Sequence, residues 1–431
     1  MKKVPKLRFK PTDSGEFPDW EEKYLSDIGV KIIDGDRGSN YPNGDDFLNV
    51  GYCLFLNAKN VTKKGFNFQV TSFITEEKDK LLGKGKLERF DIVLTTRGTV
   101  GNISFYDNSV PFEHLRINSG MVLIRTDNYI VNSKYLFKYL NSYQIQNEID
   151  KISFGSAQPQ LTVGVISKLK IHYPSLPEQE KIAEFLSAVD EKIELRAQKV
   201  EKLKTYKKAV MQKLFSQELR FKAEDGSVYP EWEEKTFKDY YEFVPTNSLS
   251  REYLTFEENG YHLKNIHYGD IHTKFRVQFD VTKEKVPYIN TKLNKCTLCN
   301  NGDIIIADAS EDYEDIGKSI EIININGESI VAGLHALHAV PKTKEIVVGY
   351  MGWFLKCEEM RKKIKYIAQG TKVLSISSKL ILDIPIFLPC LAEQKKISDF
   401  LSAIDEKIEN SEKVLVKLQS WKKGLLQQMF V

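Results

Sequence analysis

The stretches PEQEKIAEFLSAVDEKIE (residues 177–194) and AEQKKISDFLSAIDEKIE (residues 392–409) carry the same residue at 13 of 18 positions, 215 residues apart. A second match lies near the start of each copy, 212 residues apart. There, Leu-Arg-Phe-Lys at 7–10 and 219–222 precedes Pro-acid-Trp-Glu-Glu-Lys at 18–23 and 230–235. Because matches of this length and spacing do not arise by chance, the chain contains one unit twice.

The ends of the repeat predict how the two copies are arranged. Residue 4 is equivalent to residue 216 at the first offset, and residue 431 is equivalent to residue 216 at the second. Each copy therefore completes one cycle, which predicts a ring-like, pseudo-two-fold arrangement with neighbouring chain termini. The alternative is two independent domains in a row.

The matched C-terminal segment of each copy predicts a long helix. Apolar residues recur in alternating steps of four and three, which is the 3.5-residue period of a coiled-coil seam. At roughly 1.5 Å per residue, each helix of about 38 residues would be roughly 55–60 Å long. We expect the helices to pair antiparallel; the alternative is that each packs only on its own domain. The leading seam residues are Ile182, Leu186, Val189 and Ile193 in the first copy, and Ile397, Leu401, Ile404 and Ile408 in the second.

The middles of the two copies diverge and indicate mixed α and β structure. Strands rich in β-branched residues are predicted at 91–95, 121–125, 303–307 and 320–325, and single helices at 134–152 and 347–367. The predicted fold class is α+β, with two mixed α/β domains alternating with two long helices that pair as an antiparallel coiled coil, in a pseudo-two-fold internal repeat. The predicted boundaries are 1–176 for the first globular domain, 177–217 for the first helix, 218–389 for the second domain and 390–431 for the second helix.

Composition alone assigns no function. The 431 residues hold 62 Lys or Arg and 59 Asp or Glu, and this net charge of +3 excludes a uniformly basic surface but not local basic patches. No run of about 18 apolar residues is present, which excludes a membrane-spanning helix. The N-terminus lacks the apolar core of a secretory signal. Five scattered cysteines favour a reducing compartment, so the expected location is the cytoplasm.

Motifs for catalysis and for metal binding are incomplete. Gly317-Lys318-Ser319 lacks the earlier glycine of a phosphate-binding loop, because Asp312 stands at that position. Cys296-Thr-Leu-Cys299 has the spacing of zinc ligands but is half a site. The residues that could complete it are His335 and His338, or one of His262, His267 and His272. We therefore predict no catalytic residue, no metal and no cofactor in this chain.

Local basic segments are better candidates for a binding surface. Residues 59–89 hold eight Lys or Arg against four acids, and residues 361–379 hold six and no acid, which suits a phosphate backbone. Arg97, on a Gly-rich turn after a predicted strand, could read a guanine edge, and Gln158 and Gln160 could read adenine. For each residue alone, the alternative is a solvated surface charge. The predicted DNA-binding residues are Lys63, Lys64, Lys84, Lys86, Arg97, Arg116, Gln158, Gln160, Lys264, Lys274, Arg276, Lys362, Lys363 and Lys372.

The repeated segments resemble the DNA-specificity subunits of Type I restriction-modification systems. The resemblance rests on Glu-Gln-x-x-Ile-x-x-Phe-Leu-Ser-Ala-x-Asp-x-x-Ile at 178–193 and 393–408, each after a strand and a proline at 171–174 and 384–389. Gly-Ser-Ala-Gln-Pro-Gln-Leu at 155–161 is similar to the family's loop before that approach, whereas the second copy departs from it at 370–374. The resemblance covers essentially the whole chain.

The resemblance implies a non-catalytic reader of double-stranded DNA. The two domains would be target-recognition domains, each binding one half of a bipartite, asymmetric target. The helices would set the half-site spacing and dock two methyltransferase (modification) subunits. Those partners, with restriction/translocase subunits, would bind S-adenosylmethionine, ATP and magnesium, and no membrane would be involved. Two other hypotheses stay open: a tandem protein-interaction scaffold without DNA binding, and an enzyme in its own right.

Overall fold

The computed structural model describes residues 4–11, 15–153, 160–293 and 296–430, which form two compact units. Unit 1 comprises Met1–Ala197 and Lys413–Val431, and unit 2 comprises Gln198–Glu412. Both boundaries fall inside long helices. Each unit therefore combines one globular domain with a part of each long helix, whereas the sequence predicts whole helices as separate segments.

The elements of unit 1 are, in chain order, β1 (Glu21–Tyr24), β2 (Val30–Asp34), β3 (Cys53–Leu56), β4 (Val61–Thr62), β5 (Gly65–Phe66), β6 (Phe73–Ile74), α1 (Glu76–Leu81), β7 (Ile92–Thr95), β8 (Ile103–Phe105), β9 (Leu115–Ile117), β10 (Met121–Thr126), α2 (Ser133–Leu140), α3 (Tyr143–Ser153), α4 (Val163–Ser167) and β11 (Lys170–Tyr173). The long helix α5 (Leu176–Phe215) follows and ends in unit 2.

A central antiparallel sheet in the order β2-β10-β7-β8 organises unit 1. Side chains of a strand alternate between its faces, so the apolar run of β7 serves two cores. Ile92 and Leu94 face the cluster that contains α2, α3 and the start of α5. Val93 faces a second cluster, built with the sheet β6-β3-β9. Burial on both faces explains why this strand has no polar alternation.

The elements of unit 2 are β12 (Glu233–Thr236), α6 (Phe237–Tyr240), β13 (Tyr241–Val244), β14 (Leu254–Thr255), β15 (Leu263–Ile266), α7 (Tyr268–Thr273), β16 (Gln278–Asp280), β17 (Tyr288–Ile289), β18 (Ile304–Ala307), β19 (Ala309–Ser310), β20 (Ser319–Asn324), β21 (Ser329–Ala332), β22 (Ala336–Pro341), α8 (Tyr350–Lys356), α9 (Glu358–Tyr366), β23 (Leu374–Ser375), α10 (Ser378–Leu382) and β24 (Pro385–Leu388). The second long helix, α11 (Leu391–Met429), follows and ends in unit 1.

Unit 2 repeats the architecture of unit 1 with a larger sheet, in the order β13-β22-β18-β20-β16. Its strand β18 is again buried on both faces. Ile304 and Ile306 pack with α8, α9 and the two long helices, and Ile305 and Ala307 pack with β15 and β20. The four strands predicted from the sequence are confirmed as β7, β10, β18 and β20.

The prediction of one continuous helix in the second half of each domain is wrong. In unit 1, α2 ends at Leu140, and the side-chain amide of the next residue, Asn141, donates to the Phe137 carbonyl at 2.9 Å. Asparagine competes in this way with the helical backbone, and α3 begins afresh at Tyr143. In unit 2, Cys357 has extended backbone angles (φ −62°, ψ 154°) and separates α8 from α9.

The two long helices pair antiparallel within each unit. In unit 1, Asp190 of α5 pairs with Lys422 of α11 at 2.6 Å. In unit 2, Lys207 of α5 pairs with Asp405 of α11. Asp190 and Asp405 are equivalent in the repeat, as are Lys207 and Lys422, so the same ion pair forms once per unit. This confirms the predicted antiparallel pairing.

The predicted seam is buried, but it serves the globular domains as well as the helix pair. The start of α5 shares a cluster with the end of α11 and with β7, β10 and α2, while the start of α11 shares one with the end of α5 and with α8. The long helices therefore pair with each other and also pack on the globular domains, so the alternative in which each packs only on its own domain is wrong. The seam residues Ile182, Leu186, Val189, Ile397, Leu401, Ile404 and Ile408 are buried and Ile193 is partly buried.

The junction between the copies is equivalent in both units. In unit 2 the chain runs on from α5, and the Leu219 amide donates to the Lys213 carbonyl at 3.0 Å. In unit 1 the equivalent bond joins the two ends of the chain, from the Leu7 amide to the Gln428 carbonyl, also at 3.0 Å. This contact confirms the expectation that the terminal segments lie close together.

The Glu-Gln pair that begins each repeated segment is a buried anchor. Glu178 accepts from Arg8 Nε at 2.9 Å and Nη2 at 2.6 Å, and this hydrogen bond raises the pKa of Arg8. Gln179 donates to the carbonyls of Pro174 and Ile130 at 2.8 and 3.0 Å. The motif therefore fixes the N-terminal segment and the domain to the first turn of α5.

No helix within the described residues has both the length and the apolar character needed to span a membrane.

Candidate nucleic-acid interface

The loop 97–101 between β7 and β8 carries the predicted reader Arg97. Gly98 and Gly101 have positive φ angles of 72° and 89°, which glycine adopts without strain. Thr95 fastens the loop, since its carbonyl accepts from the Gly101 amide and its hydroxyl from the Asn102 amide, both at 3.0 Å. A short glycine turn on a rigid strand end thus presents the exposed Arg97 side chain.

Two of the predicted base readers lie together. With its amide oxygen turned toward the arginine, Gln160 accepts from Arg97 Nη2 at 2.9 Å and from Nε at 3.2 Å. The Leu161 amide donates to the Thr96 carbonyl at 3.1 Å, which holds the Gln160 segment beside the loop. Both side chains are exposed. Gln158 lies outside the described residues.

Three of the predicted lysines of unit 1 are exposed. Lys63 and Lys64 form the tip of the β4–β5 hairpin, which is tied to the Arg97 loop by the Asn102 side chain donating to the Val61 carbonyl at 3.0 Å. Lys84 is exposed in a loop whose Gly83 amide donates to Asp36 at 2.7 Å. Among the described residues, none of these three lysines forms an ion pair, so their charge is available to a polyanion.

Arg116 is predicted to contact DNA, and the structure corrects this because the side chain is buried. Its side chain is 7% exposed and is paired with the buried Asp79. Its guanidinium also donates to the carbonyls of Lys84 at 2.7 Å and Leu82 at 3.0 Å, so most of its donors are used inside the protein and the buried group cannot reach DNA. Lys86 is partly exposed and pairs with the same Asp79. Both residues hold the 83–86 loop in place.

The equivalent position in unit 2 carries different side chains. The Ile376 amide donates to the Asp308 carbonyl, as Leu161 does to Thr96, so Ala309 occupies the place of Arg97. Strand β19 pairs here with β23, and the turn between Gln369 and Ser375 presents the exposed Lys372, which has no ion pair in the described structure.

Aromatic and histidine side chains surround Ala309, and sequence reasoning missed their role here. The His272 ring nitrogen Nε2 lies 3.0 Å from the Ala309 carbonyl, and His335 lies 3.3 Å from Asp308. The Tyr268 ring packs between them, with centroids 6.0 and 5.4 Å away. His335 also has a positive φ of 53°, a constraint that no sequence pattern marks.

The other predicted residues of unit 2 are mostly engaged within the protein. Arg276 pairs with Glu409 of α11, which raises the pKa of the arginine; its side chain stays 42% exposed, so its DNA contact stays a prediction. Lys264 pairs with Glu328 at 3.0 Å and is 13% exposed. The remaining lysines have acidic partners but stay on the surface: Lys274 with Asp270, Lys362 with Glu358 and Lys363 with Glu359.

Two related α/β units joined by paired helices, each with a different polar surface at the same strand end, define a two-domain reader of nucleic acid. The chain belongs to the Type I restriction-modification DNA specificity family, since the model of the Type I restriction modification DNA specificity domain matches residues 18–205 and 229–420.

Curated relatives extend over most of the chain. It is 25% identical over 452 residues to the Type I restriction enzyme MjaIX specificity subunit of Methanocaldococcus jannaschii, covering 98% of this chain and 95% of that protein. It is 27% identical over 322 residues to the MjaVIII specificity subunit of the same organism, covering 72% of each. Both relatives are named as specificity subunits of Type I restriction enzymes.

Solved structures confirm the α+β fold with its long helices. The S subunit of a Type I restriction-modification system from M. genitalium superposes with a TM-score of 0.59 at 17% identity, covering 100% of this chain and 99% of that one. A chain from a structure of complex assembly and conformational transition in the type I R-M system gives 0.56 at 15% identity, covering 96% and 99%.

Proposed function

We propose that each unit of this specificity subunit reads one half of a bipartite double-stranded DNA target and that the long helices set the distance between the halves. The observation that carries this proposal is the Arg97–Gln160 pair. A guanidinium and an amide side by side, exposed on a rigid loop, offer the donors and acceptors that base edges in the major groove require. The free lysines around them suit the flanking phosphates.

Equivalent positions of the two units carry different side chains, which supports two different half-sites in the DNA target. Arg97 stands on the strand end in unit 1, whereas Ala309 with its ring of His272, Tyr268 and His335 stands there in unit 2. An arginine and an aromatic, histidine-rich surface cannot make the same base contacts. The target is therefore asymmetric.

The surfaces of the long helices suit partner subunits. Tyr206 and Trp421 are equivalent in the repeat and are 51% and 48% exposed, one in each unit. Large aromatic side chains on an otherwise polar helix are favoured at protein interfaces. Each would dock one methyltransferase subunit, and these partners with restriction/translocase subunits would bind the S-adenosylmethionine, ATP and magnesium. With one such aromatic residue in each unit, the chain would offer two equivalent docking sites and bind two methyltransferase subunits.

Replacing Arg97 by Ala is expected to relax one half-site and leave the other unchanged. Loss of one bidentate base contact corresponds to a roughly 5- to 150-fold loss of discrimination at that base. The measurement is a methylation map of genomic DNA from cells that express the variant with an adenine methyltransferase partner.

The matched control is Lys168→Ala, which removes an exposed charge at the end of α4, and it should leave the map unchanged. If Arg97→Ala left both half-sites intact, Arg97 would not be a reader. If the wild-type chain with its methyltransferase partner bound no DNA even at low salt concentration, the protein-interaction scaffold would be the better function.

A further inference from the structure

Three buried polar side chains of unit 2 lie together at the start of β18. The sulfur of Cys299, a carboxylate oxygen of Asp303 and a ring nitrogen of His338 are all within 4.8 Å of one another. The three residues are 2%, 1% and 0% exposed. Because water does not reach these groups, each of them needs a partner inside the protein.

Backbone hydrogen bonds fix the position of the group. The Cys299 amide donates to the Ile330 carbonyl at 2.8 Å, and the Asn300 amide donates to Asp303 Oδ2 at 2.8 Å. His338 projects from β22, the strand next to β18, and its Nε2 lies 2.7 Å from the same carboxylate oxygen. Thiol, carboxylate and imidazole are therefore held on neighbouring segments without need of a flexible loop.

The equivalent buried carboxylate of unit 1 is paired with an arginine. Asp91 is equivalent to Asp303, accepts from the Glu88 amide as Asp303 does from Asn300, and is bound by Arg125 at 2.7 and 2.8 Å. In the described part of unit 2, no arginine or lysine pairs with Asp303. Unit 2 therefore keeps the buried charge of unit 1 but replaces its guanidinium with His338 and Cys299.

The imidazole of His338 meets the group through Nε2, which lies 2.7 Å from Asp303 Oδ2, so Nε2 is the nitrogen that can share an ion with Asp303 and Cys299. Nδ1 lies on the other side of the ring, has no hydrogen-bond partner among the described residues and is not part of the site.

We propose that Cys299, Asp303 and His338 bind a zinc ion that replaces the arginine of the other unit as the counter-charge of the buried carboxylate. Sulfur, nitrogen and oxygen from these residue types are the donors that zinc accepts, and three protein ligands supply all but one position of its tetrahedral shell. Such an ion joins the loop before β18 to the central sheet. Cys296, which the sequence pairs with Cys299, is exposed and lies outside the group.

The test is the metal content of the full-length, untagged chain produced in zinc-supplemented medium and purified without chelator. Elemental analysis is expected to find close to one zinc ion per chain in the wild type, and a small fraction of that in Cys299→Ser and His338→Gln. The matched control is Cys357→Ser, since Cys357 is also buried but lies at the α8–α9 junction, and it should keep the zinc.

A second measurement avoids any folding defect of the variants. Wild-type protein freed of zinc and loaded with Co²⁺ is expected to show the near-ultraviolet absorption band of a cobalt–thiolate bond, because Cys299 supplies the sulfur. Wild-type protein that contains no zinc and binds Co²⁺ without this band would overturn the proposal.

Discussion

Removing seven residues from each long helix at equivalent positions is expected to shorten the gap of the methylated DNA target and to leave both half-sites unchanged. The deletions are 195–201 in α5 and 410–416 in α11, at the level where the chain passes between the units. Seven residues shorten a helix by about 10 Å, which corresponds to roughly three base pairs at about 3.4 Å each. The methylation map reads the gap directly.

The deletion length preserves the packing on both sides. Seven residues are one period of the seam, so the apolar stripe stays continuous. The pairs Asp190–Lys422 and Lys207–Asp405 lie outside the deleted segments and keep their partners. Two half-sites at an unchanged distance, or half-sites with altered sequence, would contradict the role of the helices as spacer.

The control is the deletion from α5 alone. The two helices then differ in length between the two ion pairs, so one of these pairs and the seam around it must separate. We expect this variant to lose site-specific methylation, whereas the matched deletion retains it.

Replacing Glu178 by Ala is expected to destabilise unit 1 strongly. Glu178 has no exposed side-chain surface and accepts two hydrogen bonds from Arg8, which is 20% exposed and also holds the Pro18 carbonyl at 2.9 Å. Breaking one partner of a buried ion pair costs roughly 3–5 kcal/mol of the free energy of unfolding. For a unit of this size, the melting temperature should fall by roughly 6–20 °C. Calorimetry of the full chain provides the measurement.

Two further variants make this result interpretable. Glu180→Ala changes an exposed residue of the same helical turn and should alter stability by less than about 0.5 kcal/mol. Glu393→Ala removes the equivalent anchor of unit 2, where Arg220 and the Trp232 ring nitrogen donate to the carboxylate, and should act as strongly. A Glu178→Ala protein as stable as the Glu180→Ala protein would show that the repeated motif does not anchor the unit.

The sequence predicts the scaffold well because the scaffold is what the two copies share. The period of Ile182, Leu186 and Val189 predicts a buried helical seam, and the repeat itself predicts the antiparallel pairing of the two helices. The breaks at Asn141 and Cys357 could not be predicted, since they depend on local hydrogen bonds and backbone angles inside otherwise helical patterns.

The DNA-binding residues are predicted less well than the scaffold, because the sequence does not show which acidic residues pair with a given Lys or Arg. The structure brings Arg97 and Gln160 side by side, and the Gly-rich turn that carries Arg97 is already visible in the sequence. Arg116 has the same composition signal as a surface cation, yet it is buried and pairs with Asp79 from a distant part of the chain. The DNA contacts of the exposed residues, the partner cofactors and the cytoplasmic location stay predictions.

A methylation map of wild-type cells tests the central claim most directly. The chain is expressed with an adenine methyltransferase partner, and methylated adenines are located across genomic DNA, with cells that lack the chain as the reference. Two unlike recognition units predict two short, different motifs separated by a gap of fixed length and arbitrary sequence. A single uninterrupted motif, or methylation that persists without this chain, would contradict a two-domain DNA specificity subunit.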